Sequence, residues 1–377
     1  MIHKTDWRNW NVAITGINAR ADNPGPGCAV ARSIKESRRF RGRLVGLGYD
    51  VLDAGLYNRE IFESGYLIPY PASGEQALLE RIQEVHAVEP IDVIIPSLDS
   101  EMVSFIRIRS ELSELGIRML IPDREQLMAR AKSNLPALCQ SVGLDTPEIR
   151  TICDPRFFES FEDFDDNSWQ FPLMLKGVFY DAQAVYSIEE ARAVFGRLVA
   201  TWGVPVLAQK MVKGDEYNLT AIGDGTGSMY GEVMMRKRAI TEKGKAWAGV
   251  TMNDPDMKEA ASLLVQKLKW RGPFELEAMR GSDGRLNIIE INPRFPSWIY
   301  TTTGVGRNLP LALLQMLAND FGSIQFGPPR CGMLFVRYAE EMLVELSEFE
   351  SVFVNGSAMS NRAVARPLEY SESGVDR

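Results

Sequence analysis

The stretch Phe274-Glu-Leu-Glu-Ala278, followed after a polar turn by Leu286-Asn-Ile-Ile-Glu-Ile-Asn-Pro-Arg294, decides how the rest of the chain is read. Both segments are strand-like, and Gly281-Ser-Asp-Gly284 between them supplies the turn of a hairpin. Side chains alternate along a strand, so Glu275 and Glu277 share one face, and Glu290 and Asn292 share one face of the neighbour. Three carboxylates and an amide therefore meet. Like charges a few ångströms apart in a desolvated place cannot all stay ionised without a cation. Magnesium fits, because it takes hard oxygen ligands from one or two carboxylates and an amide and completes its shell with water and phosphate oxygens. The plain alternative is a solvated hairpin face.

The surrounding chain narrows the chemistry. At 377 residues it is long enough for two to three domains of roughly 150 residues each. Its charge, 42 − 50 = −8, argues against a protein whose main work is to neutralise nucleic-acid phosphates. No run of eighteen uninterrupted apolar residues occurs, and Met1–Trp10 has no apolar signal core, so neither membrane insertion nor secretion is expected. Cys28, Cys139, Cys153 and Cys331 are too scattered for a disulfide framework or a zinc site, which fits a reducing cytoplasm. His3 and His86 are the only histidines, and neither stands where a nucleophile–histidine pair would need it.

Periodicity places the elements. The first third alternates strands (Asn11–Thr15, Leu44–Leu47, Ile91–Ile95, Arg118–Ile121) with helical patterns (Cys28–Ser37; Leu78, Ile82 and Val85; Ile108, Leu112 and Leu115), the signature of a parallel sheet covered by helices. Pro122-Asp123 opens a new helix and marks the first boundary. Beyond it strands come in antiparallel-looking pairs: Phe171–Lys176, Val204–Val212, Tyr217–Ile222 and the acidic hairpin, with a capped helix from Ser187. Leu309–Leu317 reads as a helix and Met333–Val336 as a strand, and the polar residues from Ser357 to Arg377 read as a flexible tail. Thr15-Gly-Ile-Asn18 and Pro24-Gly-Pro-Gly27 lack the spacing of a dinucleotide fingerprint.

The acidic hairpin resembles that of the ATP-grasp ligases, in the branch similar to the carbamoyl phosphate synthetase large subunit and to biotin carboxylase. The resemblance covers most of the chain and implies a mixed α/β and α+β architecture. A Rossmann-like preceding domain would occupy 1–121, an ATP-grasp domain 122–327 with a mobile lid at about 172–212, and a C-terminal extension 328–356. It implies that Glu275, Glu290 and Asn292 hold two magnesium ions, with manganese able to substitute, against the triphosphate of ATP. Glu277 is an alternative to Glu275, which ranks first.

Further expectations follow from the same resemblance. Arg294 would contact the phosphates or an acyl phosphate, Lys176 the α/β phosphates, and Lys132 the nucleotide. Leu207–Val212 resembles the hinge that reads adenine, with Gln209, Lys210, Met211 and Val212 around the base and Glu216 on the ribose. One departure is a lid loop, Lys176–Ala182, that keeps only Gly177, leaving Phe179 and Tyr180 to close over the phosphates by packing. The basic run Arg236-Lys-Arg238 is either a solvated strand edge or a cleft wall, with Arg236 toward substrate, Arg238 toward the reaction centre and Lys237 turned away. Asp99 and Glu101, beyond a strand end, are candidates to hold an amine, with a capped helix start as the plain alternative, and Arg307 is a further substrate candidate.

The activity implied is ATP-dependent joining of a carboxylate to an amine through an acyl phosphate. A small-molecule kinase and a binding-only ATP sensor are the rivals. The implied partners are small-molecule or peptide carboxylates and amines, with a homodimer allowed and neither nucleic acid nor membrane involved.

Overall fold

A computed structural model describes residues 6–159, 161, 169–177 and 181–359 of the chain. The amino-terminal apolar runs form four parallel strands, β1 (Asn11–Ile14), β2 (Arg43–Gly48), β3 (Ser64–Leu67) and β4 (Val93–Ile95), in the order β3-β2-β1-β4. Val12, Ile14, Leu44 and Val93 lose all contact with water, as strands covered on both faces do. Helix Glu75–Val88 buries Leu78, Ile82 and Val85, the three residues whose spacing marks it in the sequence. Helix Gly27–Lys35 starts so close to β1 that a Cβ on Gly27 would stand 2.1 Å from the Thr15 carbonyl oxygen. Two readings change here. Arg118–Ile121 is not a strand and contributes only an isolated bridge from Arg118 to Val93, whereas β3, which has little apolar run to announce it, is a full member of the sheet.

Asp123 caps the next helix, Arg124–Ala129, accepting from the Gln126 N–H at 2.8 Å while Gln126 Oε1 accepts from the Asp123 N–H at 2.9 Å. A second, antiparallel sheet follows, made of β5 (Ile149–Ile152), β6 (Leu173–Lys176), β7 (Ala182–Val185) and β8 (Val206–Lys210) in the order β5-β8-β6-β7. Helix Ile188–Trp202 closes its inner face with Ala191, Val194, Phe195 and Leu198, which join Phe158 and Trp169 in one apolar cluster. Lys176 therefore stands at the very end of β6, before a loop whose residues 178–180, including Phe179 and Tyr180, lie outside the described residues.

The largest sheet is antiparallel and runs β13-β12-β9-β10-β11-β14, from β9 (Gly214–Asp224), β10 (Met229–Ile240), β11 (Ala246–Met252), β12 (Arg271–Gly281), β13 (Leu286–Asn292) and β14 (Leu334–Val336). Helix Pro255–Leu268 packs on one face, against Leu219, Met234, Leu276, Ile288 and Ile291. That leaves the other face free for polar residues. The chain then returns to the first sheet, where helix Leu346–Asn355 leads into β15 (Ser357–Met359), antiparallel to β3. The start of the expected flexible tail is thus a paired strand, because Ala358 finds an apolar place beside Val352. Residues 360–377 lie outside the described residues.

Candidate active site

Strand register brings the polar face together. Glu277 on β12 stands opposite Glu290 on β13 and Asn218 on β9, and Glu275 stands opposite Asn292 and Thr220. The residues between them, Leu276 and Leu219, point to the helix-covered core. Alternation thus gathers the acids on the opposite face. The Asn292 amide sits between the two β12 acids, donating to Glu275 Oε2 at 3.2 Å and to Glu277 Oε1 at 2.9 Å.

The two acids have different fates. Glu275 is buried, and both its oxygens are engaged: Trp298 Nε1 (2.7 Å) and Asn218 Nδ2 (3.0 Å) donate to one, Arg294 Nη1 (3.1 Å) and Asn292 Nδ2 to the other. Arg294 in turn donates through Nε to Asp99 Oδ2 at 2.8 Å, and Arg130 lies 3.6 Å from the other Asp99 oxygen. A carboxylate satisfied by four donors has no lone pair left to offer a cation cheaply. Glu275, ranked first as a metal ligand, is thus tied to β9, β13 and the segment that follows β13. Arg294 and Asp99 belong to the same network, in which half-buried Asp99, the expected amine-holding residue, meets the guanidinium groups of Arg294 and Arg130.

Glu277 lies in a more charged setting. Lys237 approaches its Oε2 at 3.5 Å and also binds Glu216, while Lys132 stands 3.7 Å from Glu290. Lys176 is buried at the end of β6, and its charge is felt chiefly against Glu290, then Glu277 and Glu216. Burial, followed by repulsion from Lys132, holds the Lys176 ammonium below its ordinary range despite those acids. Burial also pushes the Glu216 carboxyl up to about 7, with the neighbouring Glu277 charge adding to the shift against the pull of Lys237. For Glu277 burial acts upward as well, but Lys237 and then Lys245 outweigh it and keep the group ionised well into acid.

The donor set suits magnesium shared with phosphates. Among the described residues no three acidic, histidine or cysteine side chains converge into a ready-made metal cage. Two facing carboxylates with an amide beside them, ringed by lysines, match a hard cation that completes its shell with phosphate and water oxygens.

Several expected residues stand elsewhere. Met235 pairs with Asn218, so the odd-numbered residues of β10 share the Glu277 face, and it is Lys237 that enters the cleft. Arg236 points the other way and pairs with Asp215 at 2.6 Å, and Arg238 is exposed where the β10–β11 register slips. Alternation is correct for this run but its phase is reversed. Glu101 is fully buried and receives the Thr15 and Tyr49 hydroxyls and the Ser97 and Leu98 N–H groups, which tie strand ends together. Burial raises its pKa above the ordinary carboxyl value against the pull of those donors. Arg307 is occupied by the Gly327 and Glu232 carbonyls and the Glu232 carboxylate.

At the expected adenine end, Gln209 is buried with its Nε2 unpartnered, on the face of β8 opposite Ala208 and the core of its sheet. Lys210 turns its ammonium to Glu148 at 2.6 Å and donates its N–H to the Glu148 carbonyl at 3.0 Å, and Met211 is exposed beside Val212 after the strand ends. Lys237, Trp298, Asn218 and Arg130 are the site residues that sequence reasoning passed over. The first had a signal in the strand phase that the core residue Met234 sets; the other three act through contacts distant in sequence.

Solved structures share this architecture. The L-amino acid ligase of Bacillus licheniformis superposes with a TM-score of 0.60 at 18% identity, over 84% of this chain and 78% of that one. The biotin carboxylase domain of 2-oxoglutarate carboxylase from Hydrogenobacter thermophilus, in complex with MgADP, ADP and bicarbonate, gives 0.61 at 15% over 82% and 70%. N5-carboxyaminoimidazole synthase from Aspergillus clavatus, in complex with ADP and 5-aminoimidazole ribonucleotide, gives 0.59 at 16% over 83% and 78%. The chain therefore has the ATP-grasp fold. Neither a family model nor a curated protein sequence matches it. No helix among the described residues is long and apolar enough to cross a membrane.

Proposed function

We propose that this protein is an ADP-forming carboxylate–amine ligase, which joins its substrates in an amide or peptide bond through an acyl phosphate. The observation that carries this reading is the facing pair Glu277 and Glu290 with Asn292 beside it, enclosed by Lys132, Lys176 and Lys237. Those two carboxylates and the amide would hold magnesium, in the reading of two ions with manganese able to replace them, and the metal would supply charge neutralisation for the triphosphate.

The chain's own residues then have distinct work. Lys176 and Lys132 neutralise phosphate oxygens of ATP, and Gln209 with the backbone of Lys210–Val212 receives the base. Glu216 would accept from the ribose hydroxyls through its carboxylate oxygens. A substrate carboxylate oxygen attacks the γ-phosphorus, the bond from that phosphorus to the β-bridging oxygen breaks, and ADP leaves. The amine nitrogen then attacks the acyl carbon, phosphate departs, and the nitrogen gives up one proton. Little covalent chemistry is asked of the protein, because phosphoryl transfer is catalysed mainly by positioning and charge. No nucleophilic side chain is needed, in keeping with the half-buried Cys28 and buried Cys139 thiols, whose pKa values desolvation pushes up to about 12.

The test is mass spectrometry of nucleotide and product after incubation with MgATP and a library of amino acids and carboxylates. ADP with a new mass equal to two substrates less water is the expected result. AMP in place of ADP, or a stable phosphorylated product that hydroxylamine does not convert to a hydroxamate, would overturn it. The reading places the protein in the cytoplasm and leaves a homodimer open to sedimentation analysis.

A further inference from the structure

A cavity of about 480 Å³ lies apart from the cleft, and no step of the ligase reading uses it. It opens where the chain leaving helix Gly27–Lys35 meets helix Leu309–Leu317, with Arg39, Leu311, Gln315, Ser323 and Phe326 among its walls. Arg307, next to its rim residue Gly306, donates to the Glu232 carbonyl at 2.6 Å. Glu232 precedes Lys237 on β10 by roughly 17 Å of strand, so the cavity and the phosphate end of the cleft are separate places. Its volume falls within the roughly 300–1,000 Å³ of small-molecule sites.

Two polar side chains converge inside it. Gln315 is 3% exposed, and its Nε2 donates to the Ser323 carbonyl at 3.0 Å and to Ser323 Oγ at 2.6 Å. No donor among the described residues reaches its Oε1. A buried acceptor without a donor costs stability until a hydrogen-bonding partner completes it. Arg39 Nη1 donates to the same Ser323 carbonyl at 3.2 Å, so the guanidinium and the Gln315 amide meet at one oxygen. The Arg39 guanidinium carbon also lies 5.3 Å from the centre of the Trp7 ring, whose Nε1 is fixed to Asp320 at 3.0 Å. Ring and carbonyl together hold the fork in one orientation, and among the described residues Arg39 forms no ion pair.

These walls specify a ligand. A pre-oriented guanidinium suits a planar carboxylate. Asp320, which also accepts from the Ser323 hydroxyl at 2.6 Å, places a negative charge close by, so a phosphate dianion is disfavoured there. Gln315 Oε1 calls for an N–H near that carboxylate, and Leu311 and Phe326 call for an apolar body. We propose that this cavity is a second binding site, for an apolar molecule that carries a carboxylate with an N–H group close to it: a free amino acid or a dipeptide. The proposal stands on the cavity's own walls and does not depend on the ligase reading.

Isothermal titration of the whole chain tests it, with L-leucine and L-leucyl-L-leucine as probes. L-Leucinamide, which lacks the carboxylate, and isocaproate, which lacks the nitrogen, are the controls. The expected result is saturable binding of at least one probe, with both controls at least tenfold weaker; the tighter probe names the source. Arg39→Met should weaken the probe at least tenfold and Arg39→Lys should recover part of the loss. Because Arg39 is exposed, both variants should keep the native unfolding midpoint. Binding that Arg39→Met leaves unchanged would lie elsewhere, the cleft included, and would overturn the proposal. So would equal binding of probe and controls, or no saturable binding of either probe up to about 10 mM. Failure of the ligase reading would appear separately, as no ADP from MgATP with any substrate pair, and would leave the titration result standing.

Discussion

Glu275 and Glu277 lie two residues apart on one strand face and touch the same asparagine amide, yet their surroundings differ. Around Glu275 every oxygen is filled by a donor of the protein itself, and Arg294 carries the network on to Asp99. Around Glu277 the donors are the Asn292 amide at 2.9 Å and Lys237 at 3.5 Å, while Lys132 stands 3.7 Å from the facing Glu290. Burial plus charge does not separate a metal-binding acid from a structural one; on our proposal the number of protein donors already at its oxygens does.

Neutralising each acid in turn separates the two surroundings by their consequences. Glu277→Gln and Glu290→Gln should lower turnover about 10³-fold, about 4 kcal/mol in the barrier, with the fold and its unfolding midpoint kept. Steady-state ADP release and a denaturant titration read both quantities. Glu275→Leu should do the reverse in kind, costing about 3–5 kcal/mol of stability because the buried Arg294 loses one of its two counter-ions and Asn218 and Trp298 lose their acceptor. If Glu275→Leu stayed as stable as the native chain, the structural assignment would be wrong.

The sequence announced the hairpin, because alternation with a Gly-rich turn is a local signal, and it brought Glu290 and Asn292 to one place correctly. It could not rank Glu275 against Glu277. What distinguishes the surroundings of the two is Trp298 and Arg294, which approach Glu275 from beyond β13, and Asn218 from β9, contacts that no periodicity carries. The first sheet was legible where strands are continuously apolar. It was misread at Arg118–Ile121, which supplies apolar contacts without a ladder, and at β3, whose Ser64-Gly65 start has little strand character. Phase was the remaining weakness: a strand pattern tells which residues point together, but only a core neighbour such as Met234 tells which set points inward.

A smaller effect sharpens the sealed side. Burial would raise the Asp99 pKa, but Arg294, then Arg130 and Lys245, outweigh it and hold the carboxyl below its usual value. A depressed folded-state pKa means stability that is fully present above the unfolded value, about 4, and lost as pH falls through the folded one. Unfolding free energy measured between pH 7 and pH 3 should therefore fall in the native chain as Asp99 protonates. Asp99→Asn should start lower at pH 7 and show a shallower acid slope; an unchanged slope would mean that the pair adds nothing to acid sensitivity.

The smallest effect concerns the basic run, where a residue and its neighbours are told apart by strand phase alone. Lys237 is on the Glu277 face and contacts both Glu216 and Glu277, so Lys237→Met should weaken ATP turnover by at least tenfold and shift the Glu216 carboxyl further up, since its cation is removed. Arg238 is exposed in the register slip of β10, and the charge it carries is screened by water and salt. Arg238→Ala should therefore change stability by less than about 0.5 kcal/mol and leave ADP release within twofold of native. Parallel kinetics on the two variants decide the phase directly: a larger loss from Arg238→Ala than from Lys237→Met would turn β10 over and return the cleft wall to the arginines.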